Sequence, residues 1–286
     1  MNPTLNIGAR YMLLSALGFA LMTTCVKLVS TYGIPFLEIV AARALVSLVI
    51  SYIDVRRKGL SPWGTHRRLL LSRGVVGAFA LFCVYYAVIT LPLAEATLLQ
   101  YTHPVFTALL ALLVLRERLH VSTVACIGLS IAGLLIMVEP GLIGGGGADL
   151  PRFSVIVALA GAFGSAIAYV IVRRLSTLED PSVIIFYFPL VALPLSVALL
   201  GEDFVMPGAE ALVLLVFVGV FTQIGQTGLT LAMRHETAGK AAAYSYVQVI
   251  FATLFGWLVF AEIPSLWTWA GGGLIILGAL ANLSQR

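Results

Sequence analysis

The chain contains 286 residues, of which 60% are hydrophobic and only 10% are charged. Soluble proteins carry roughly 25% charged residues, so these 17 basic and 13 acidic side chains are too few to cover a soluble particle of 30.5 kDa. The mean hydropathy of +1.03 instead predicts an all-α fold, a polytopic membrane protein with little extramembrane mass.

Apolar segments separated by charges, glycines and prolines predict ten transmembrane helices. They cover approximately residues 11–31, 35–53, 72–91, 94–115, 119–138, 153–173, 182–201, 210–232, 239–260 and 265–284. Connections as short as residues 91–93 require neighbouring helices to run antiparallel and side by side. The predicted fold is therefore a compact helical bundle.

Most lysines and arginines fall on alternate connections, together with the basic stretch from Arg56 to Arg73. By the positive-inside rule this asymmetry places both termini in the cytoplasm. It also explains the net charge of +4 as a topology signal and a contact for membrane lipid, with no nucleic acid as partner. Residues 1–10 carry one basic side chain and no typical cleavage site, which favours a retained first helix over a signal peptide.

The sequence matches itself at an offset of about 145 residues, a sign of an internal repeat. Tyr101 falls on Tyr246, Glu117 on Glu262 and Gly133 on Gly278 in this match. Each repeat contains five helices. Because five is odd, the second repeat enters the membrane from the opposite face, and the two repeats are inverted relative to each other. The predicted units are residues 1–140 and 153–286, joined by a connector at residues 141–152. This arrangement is typical of secondary transporters that work by alternating access.

The repeated glutamate before the fifth and tenth helices, followed by the glycine pairs Gly128/Gly133 and Gly273/Gly278, resembles the drug/metabolite transporter superfamily, EamA type. Within it the chain is similar to the YddG-like bacterial amino-acid exporters. The resemblance implies export of small metabolites across the bacterial inner membrane. It also implies a central cavity lined mainly by the third, fourth, eighth and ninth helices.

Polar side chains within these four helices must find partners or line a cavity, because lipid offers no hydrogen bonds. The predicted substrate-binding residues are Phe82 and Tyr85 in the third helix, Gln100, Tyr101 and His103 in the fourth, Gln226 and Thr227 in the eighth, and Tyr244, Tyr246 and Gln248 in the ninth. A second interpretation makes the tyrosines interfacial anchors.

Charged side chains limit the predicted solute. At most two cationic side chains, Lys27 and Arg43, are expected inside the bundle. Lys27 is interpreted as extending to the interface, with an inward contact to a carboxylate as the alternative, and Arg43 as forming an ion pair with another helix. Glu117 is interpreted as a cap of the fifth helix. Two cations are too few for a phosphorylated solute. We therefore expect neutral or zwitterionic solutes, such as aromatic or other neutral amino acids, or a related metabolite or drug.

Other function classes have weaker support in the residues. His235-Glu236 begins like a zinc-protease motif, but Gly239 replaces the second histidine. The three cysteines lie in apolar segments without metal-binding spacing, so no metal, no cofactor and no catalytic residue is predicted. A passive channel stays as a further alternative, and the partners expected are a small-molecule substrate and lipid, for a monomer or a homodimer.

Overall fold

A computed structural model describes residues 7–91, 99–138, 151–261, 263 and 266–283. The regular structure of these residues is entirely helical, as predicted. Its helices are α1 (Ile7–Ser30), α2 (Phe36–Arg57), α3 (Arg67–Thr90), α4 (His103–Val114), α5 (Val121–Val138), α6 (Arg152–Leu175), α7 (Pro181–Leu200), α8 (Ala209–His235), α9 (Ala238–Tyr244), α10 (Val247–Phe260) and α11 (Leu266–Leu283). Most of the predicted connector and Glu262 lie outside the described residues.

Seven stretches of the described chain are long and apolar enough to cross a membrane. They are α1, α2, α6, α7, α8, residues 67–87 of α3, and residues 238–260, which contain α9 and α10. Helices α4, α5 and α11 are apolar but shorter within the described residues. The prediction of a polytopic membrane protein is thus confirmed at the level of seven candidate helices, and the count of ten stays a prediction.

The major helix contacts join the first predicted half to the second. Helix α1 packs on α8, α3 on α6, α2 on α7, α5 on α11 and α4 on α9. The main core lies among these pairs and is filled by large aliphatic side chains such as Met12, Leu70, Leu175 and Met233. The halves are therefore interleaved, and neither has a separate core of its own.

One end of the bundle, called here the Glu117 end, contains the C-terminal ends of α2, α6 and α8. Lys58, just after α2, pairs with Asp180, the residue before α7, at 3.2 Å. Arg173 in the last turn of α6 donates to the carbonyl oxygen of Met233 near the end of α8 at 2.7 Å. Helix α2 therefore finishes where α7 starts, beside the finish of α6 and α8.

The opposite end, called the Tyr32 end, holds the finish of α1 and the start of α8. The Tyr32 hydroxyl donates to the Glu210 carboxylate at 2.8 Å. The backbone N–H of Val205, which precedes α8, donates to Glu38 at 3.0 Å. Tyr11, near the start of α1, stacks on His235 at the Glu117 end. Helix α1 therefore begins at the end where α6 finishes.

Backbone irregularities recur one repeat length apart. The helix is interrupted at Tyr101-Thr102 before α4 and at Ser245-Tyr246 between α9 and α10. The positive φ angles of non-glycine residues in the described chain are 55° at Arg116 and 54° at Ala261, after α4 and α10. Arg116 and Ala261 are 145 residues apart, the same interval that separates Tyr101 from Tyr246, and the two helix interruptions are offset by one residue less. The matched segments therefore share local backbone geometry as well as sequence.

The glycine pairs of α5 and α11 differ in what they contact. A Cβ at Gly133 would overlap the carbonyl oxygen of Gly271, and one at Gly278 would lie 3.0 Å from the carbonyl oxygen of Cys126. A Cβ at Gly128 or Gly273 would meet nothing within 4 Å. Close approach of α5 and α11 therefore depends on Gly133 and Gly278 and not on Gly128 or Gly273.

Candidate functional site

Four rings, two buried and two partly buried, form an aromatic cluster at the helix interruptions: Tyr101, His103, Tyr169 and Tyr246. The rings of Tyr101 and Tyr246 stack at 5.8 Å, and the Tyr246 hydroxyl donates to the backbone oxygen of Tyr101 at 2.8 Å. The imidazole of His103 lies 6.2 Å from the Tyr101 ring and 5.1 Å from the Tyr169 ring. Three of the four rings belong to predicted site residues, which the structure brings together.

Several polar atoms around this cluster are buried without a hydrogen-bond partner. They include Oε1 of Gln100, Nδ1 of His103 and the hydroxyl of Tyr244. Buried polar groups normally find partners, since leaving one unpaired costs about 1–3 kcal/mol. Three predicted site residues therefore offer hydrogen-bonding capacity that the folded chain itself leaves unused.

Gln226 lies next to a residue that the sequence analysis assigned elsewhere. Arg73 was counted with the topology charges, but its side chain is buried in the bundle and only 5% exposed. Its Nη2 donates to Oε1 of Gln226 at 3.3 Å, and its Cζ lies 5.3 Å from the centre of the Phe188 ring. Phe82 packs against the apolar cluster that contains Phe188. These residues form an arginine group adjacent to the aromatic cluster.

Tyr169 connects the two groups. It forms the edge contact with His103 and lies close to Arg73 and Tyr101. The aromatic cluster and the arginine group are consequently parts of one polar region within the bundle. This region is contributed by both predicted halves, with His103, Tyr246 and Arg73 buried and Tyr101, Tyr169 and Gln226 partly buried.

The remaining predicted site residues lie at the edges of this region or outside it. Thr227 lines a cavity of about 320 Å³ between α2 and α8, together with Ile50, Ile53, Asp54, Arg57 and Gln223. Tyr85 contacts Phe36 near the Tyr32 end, with ring centres 3.9 Å apart. Gln248 is half-buried on α10. The structure thus groups Tyr101, His103 and Tyr246, and separately Gln226 and Phe82.

Gln223, one turn before Gln226, makes internal bonds only. Its Oε1 accepts from the hydroxyls of Ser47 at 2.6 Å and Ser51 at 3.2 Å, and its Nε2 donates to Ser51 at 3.0 Å. These bonds join α2 to α8 in the bundle. Because both polar atoms of its amide bond to serines of α2, Gln223 joins α2 to α8 beside the cavity that it lines with Thr227.

Glu117 connects the two halves instead of capping α5. Its Oε1 accepts from Nε of Arg173 at 2.7 Å, and its Oε2 accepts from the backbone N–H of Ala238 at 2.8 Å. Ala238 begins α9, so the carboxylate caps that helix from across the bundle. The expectation that Glu117 caps the fifth helix was wrong, because a side chain close in sequence to the start of one helix can contact the start of a different helix.

Comparison with known proteins gives the family. The EamA-like transporter family matches twice, over residues 6–139 and residues 152–284. The chain belongs to the EamA-like transporter family. This confirms the family predicted from the repeated motifs, and it places this EamA-like chain among membrane transporters of small molecules and not among enzymes.

Named relatives agree with this assignment. The pseudopaline exporter CntI of Pseudomonas aeruginosa is 33% identical over 97% of this EamA-like chain and 96% of its own length. Solute carrier family 35 member G1 of Homo sapiens is 31% identical over 99% of this chain and 80% of its own. A solved crystal structure has a TM-score of 0.79 and 20% identity over 94% of this chain and 95% of that chain, which shows the shared fold.

Two residues of this EamA-like site were missed by sequence reasoning. Arg73 stands beside a basic stretch, so charge counting assigned it to the membrane surface, although it lies seven positions into α3. Tyr169 is a polar ring in an otherwise apolar part of α6. The available signal for both was a polar residue at membrane depth, the same signal that selected Gln226.

Proposed function

We propose that the chain is an inner-membrane secondary transporter that exports amino acids or similar small metabolites by alternating access. The observation that carries this proposal is the buried polar region at the two helix interruptions. Its aromatic rings suit a small amphipathic solute, and its unpartnered Gln100, His103 and Tyr244 atoms suit a hydrogen-bonding one. The relative named as an exporter supports the direction of flux.

Alternating access requires two inverted halves, residues 1–140 and 153–286, and helix directions support them. Helix α1 begins at the Glu117 end, whereas α6, its counterpart, finishes there. Likewise α2 finishes at the Glu117 end, where its counterpart α7 begins. The two family matches on either side of residues 140–151 agree with the proposed boundaries.

Reciprocal contacts between counterparts also support a pseudo-twofold axis. Gly133 approaches the carbonyl of Gly271, and Gly278 approaches that of Cys126, which is the same contact with the halves exchanged. Tyr101 touches its own counterpart Tyr246, as residues beside such an axis do. Two halves related in this way can form inward-open and outward-open states of similar energy around one site.

The proposed orientation places the Glu117 end and both termini in the cytoplasm. Arginines such as Arg174 and Arg234 lie at that end, whereas Glu210 and the preceding acidic residues lie at the Tyr32 end. This is the asymmetry that the positive-inside rule describes. Residues proposed to contact the solute are Gln100, Tyr101, His103, Gln226, Tyr244 and Tyr246, with Phe82, Tyr85, Thr227 and Gln248 along its path.

Proteoliposomes containing purified protein and labelled L-phenylalanine test the proposal. We expect saturable efflux that is accelerated by unlabelled L-phenylalanine on the opposite side. Replacing Gln226 by alanine removes the amide proposed to bond the charged solute; such a bond is worth about 1.5–3 kcal/mol, so the variant should lower kcat/KM at least tenfold. Thr177→Ala, at an exposed position, is the control and should leave flux unchanged.

Three results would contradict the proposal. Absent flux would refute transport of this solute class. Flux that neither saturates nor shows trans-stimulation would identify a channel instead. Normal flux in the Gln226→Ala variant would refute the site while leaving transport in place.

A further inference from the structure

Two arginines face the same phenylalanine ring inside the bundle. Cζ of Arg43 on α2 lies 5.7 Å from the centre of the Phe188 ring, and Cζ of Arg73 on α3 lies 5.3 Å from it. Both arginines are 5% exposed and Phe188 is equally buried. Three helices therefore bring two positive charges to one apolar side chain.

Neither arginine forms an ion pair with a carboxylate within the described residues. The hydrogen-bond partner of Arg73 is the neutral amide of Gln226, and Nε of Arg73 has no hydrogen-bond partner. Glu38, the acidic residue nearest to Arg43 on α2, accepts instead from the backbone of Val205. The ion pair predicted for Arg43 is thus replaced by a contact with an aromatic ring.

An unpaired guanidinium in this position is energetically unfavourable. Cation–π contact with Phe188 contributes up to about 2 kcal/mol, whereas removing a charge from water costs several kcal/mol. The desolvation cost therefore exceeds the cation–π stabilisation for both Arg43 and Arg73. A folded chain tolerates it where the missing negative charge is supplied by a ligand.

Local sequence holds the Arg73 guanidinium in place. A Cβ at Gly74 would lie 2.7 Å from the backbone oxygen of Tyr187, so this glycine lets α3 approach α7 closely. A Cβ at Gly77 would overlap Nη1 of Arg73 and lie 3.0 Å from Cδ2 of Phe188. The guanidinium therefore lies across the space that Gly77 leaves, directed toward Phe188 and Gln226.

We infer that Arg73 and Arg43 bind carboxylate groups of the transported solute, so that the substrates are amino acids or other organic acids with one or two carboxylates and not solutes that lack a carboxylate. The inference rests on the proposed transport function and narrows its substrate class. A guanidinium offers a planar pair of donors that matches a carboxylate. Arg73, which is hydrogen-bonded to Gln226, binds the first carboxylate. Arg43 attracts a second carboxylate where the solute has one. The aromatic cluster contacts the rest of the solute through Tyr169.

Matched acids and amides test the inference on purified protein in detergent. The probes are 3-phenylpropionate against 3-phenylpropionamide, and succinate against succinamide, with Kd measured from ligand-dependent thermal stabilisation. We expect each acid to bind at least tenfold more tightly than its amide. Arg73→Gln should abolish this preference, and Arg43→Gln should reduce it for succinate more than for 3-phenylpropionate. Arg68→Gln removes an exposed charge from the same helix and should leave both preferences intact.

One further variant and one further measurement separate binding from folding. Gly77→Ala keeps the charge but displaces the guanidinium, and should weaken acid binding at least fivefold. Without ligand, Arg73→Gln should raise the thermal midpoint, because it removes an uncompensated charge, whereas a structural arginine would lower it when lost. Acids that bind no better than amides, acids that do not bind, or a lower midpoint for Arg73→Gln would each overturn the inference.

The transport proposal and the carboxylate site can be refuted independently of each other. Tight, Arg73-dependent acid binding without flux in proteoliposomes would refute transport and keep the carboxylate site. Saturable flux of amides as fast as that of acids would refute the carboxylate site and keep transport.

Discussion

Replacing the glycines of α5 and α11 by alanine tests the packing between the two halves. At Gly133 a methyl group would overlap the carbonyl oxygen of Gly271 and lie 3.1 Å from Ile275, so the two helices must separate. Overpacking of this kind costs about 1–3 kcal/mol, while alanine gains about 1 kcal/mol over glycine in helix propensity. We expect Gly133→Ala, whose overlap is severe, to lower the free energy of unfolding by up to about 2 kcal/mol on balance.

Three matched variants complete the test. At Gly278 the contact is 3.0 Å, so the same two effects nearly cancel. At Gly128 and Gly273 a methyl group meets nothing within 4 Å, and alanine should stabilise by up to about 1 kcal/mol. Denaturant titration of the four variants in detergent gives the ranking. Equal stability of Gly133→Ala and Gly128→Ala would refute the packing assigned to α5 and α11.

Three more predictions concern polar residues. Glu117→Gln should destabilise by about 1.5–3 kcal/mol, because Arg173 loses its charged partner; an unchanged thermal midpoint would show that the pair contributes nothing. Burial alone would raise the pKa of Glu179, but hydrogen bonds from Thr65 and its neighbour His66 outweigh it and leave the pKa below its ordinary value. The resulting stabilisation is present at neutral pH and is lost as pH falls through that lowered pKa, so the wild type should lose more stability on acidification than Glu179→Gln; parallel pH curves would refute this. Gln223→Ala should lower stability and leave the KM for solute unchanged, and a raised KM with normal stability would make Gln223 a binding residue.

Much of the fold follows from the sequence because lipid imposes simple rules. A helix that crosses a membrane needs about twenty apolar residues, so hydropathy locates segments such as α1 and α7 closely. A duplicated pattern likewise predicts duplicated geometry, and the helix interruptions at Tyr101 and Tyr246 lie one repeat apart. Helix pairing between the halves was not predictable, since hydropathy does not state which apolar faces meet.

The candidate site was predicted only in part, because residue type does not reveal direction. Tyr101, His103 and Tyr246 converge as expected, but Tyr85 packs on Phe36 away from them. Arg73 was missed because position along the chain suggested the membrane surface, whereas Gly77 turns its guanidinium into the bundle. A charged side chain near a helix end can lie at the membrane surface or inside the bundle. The packing of neighbouring helices decides which of the two occurs.

The central claim is that one buried site, located between two halves, is reached in turn from either end of the bundle. Labelling of Gln226→Cys by a membrane-impermeant maleimide tests it, in protein whose three native cysteines are replaced by alanine. We predict labelling from both faces of the membrane. After Thr65→Cys and Glu179→Cys are joined by a short bifunctional maleimide at the Glu117 end, labelling should persist only from the Tyr32 end. Labelling from both faces after this cross-link, or from one face throughout, would contradict alternating access.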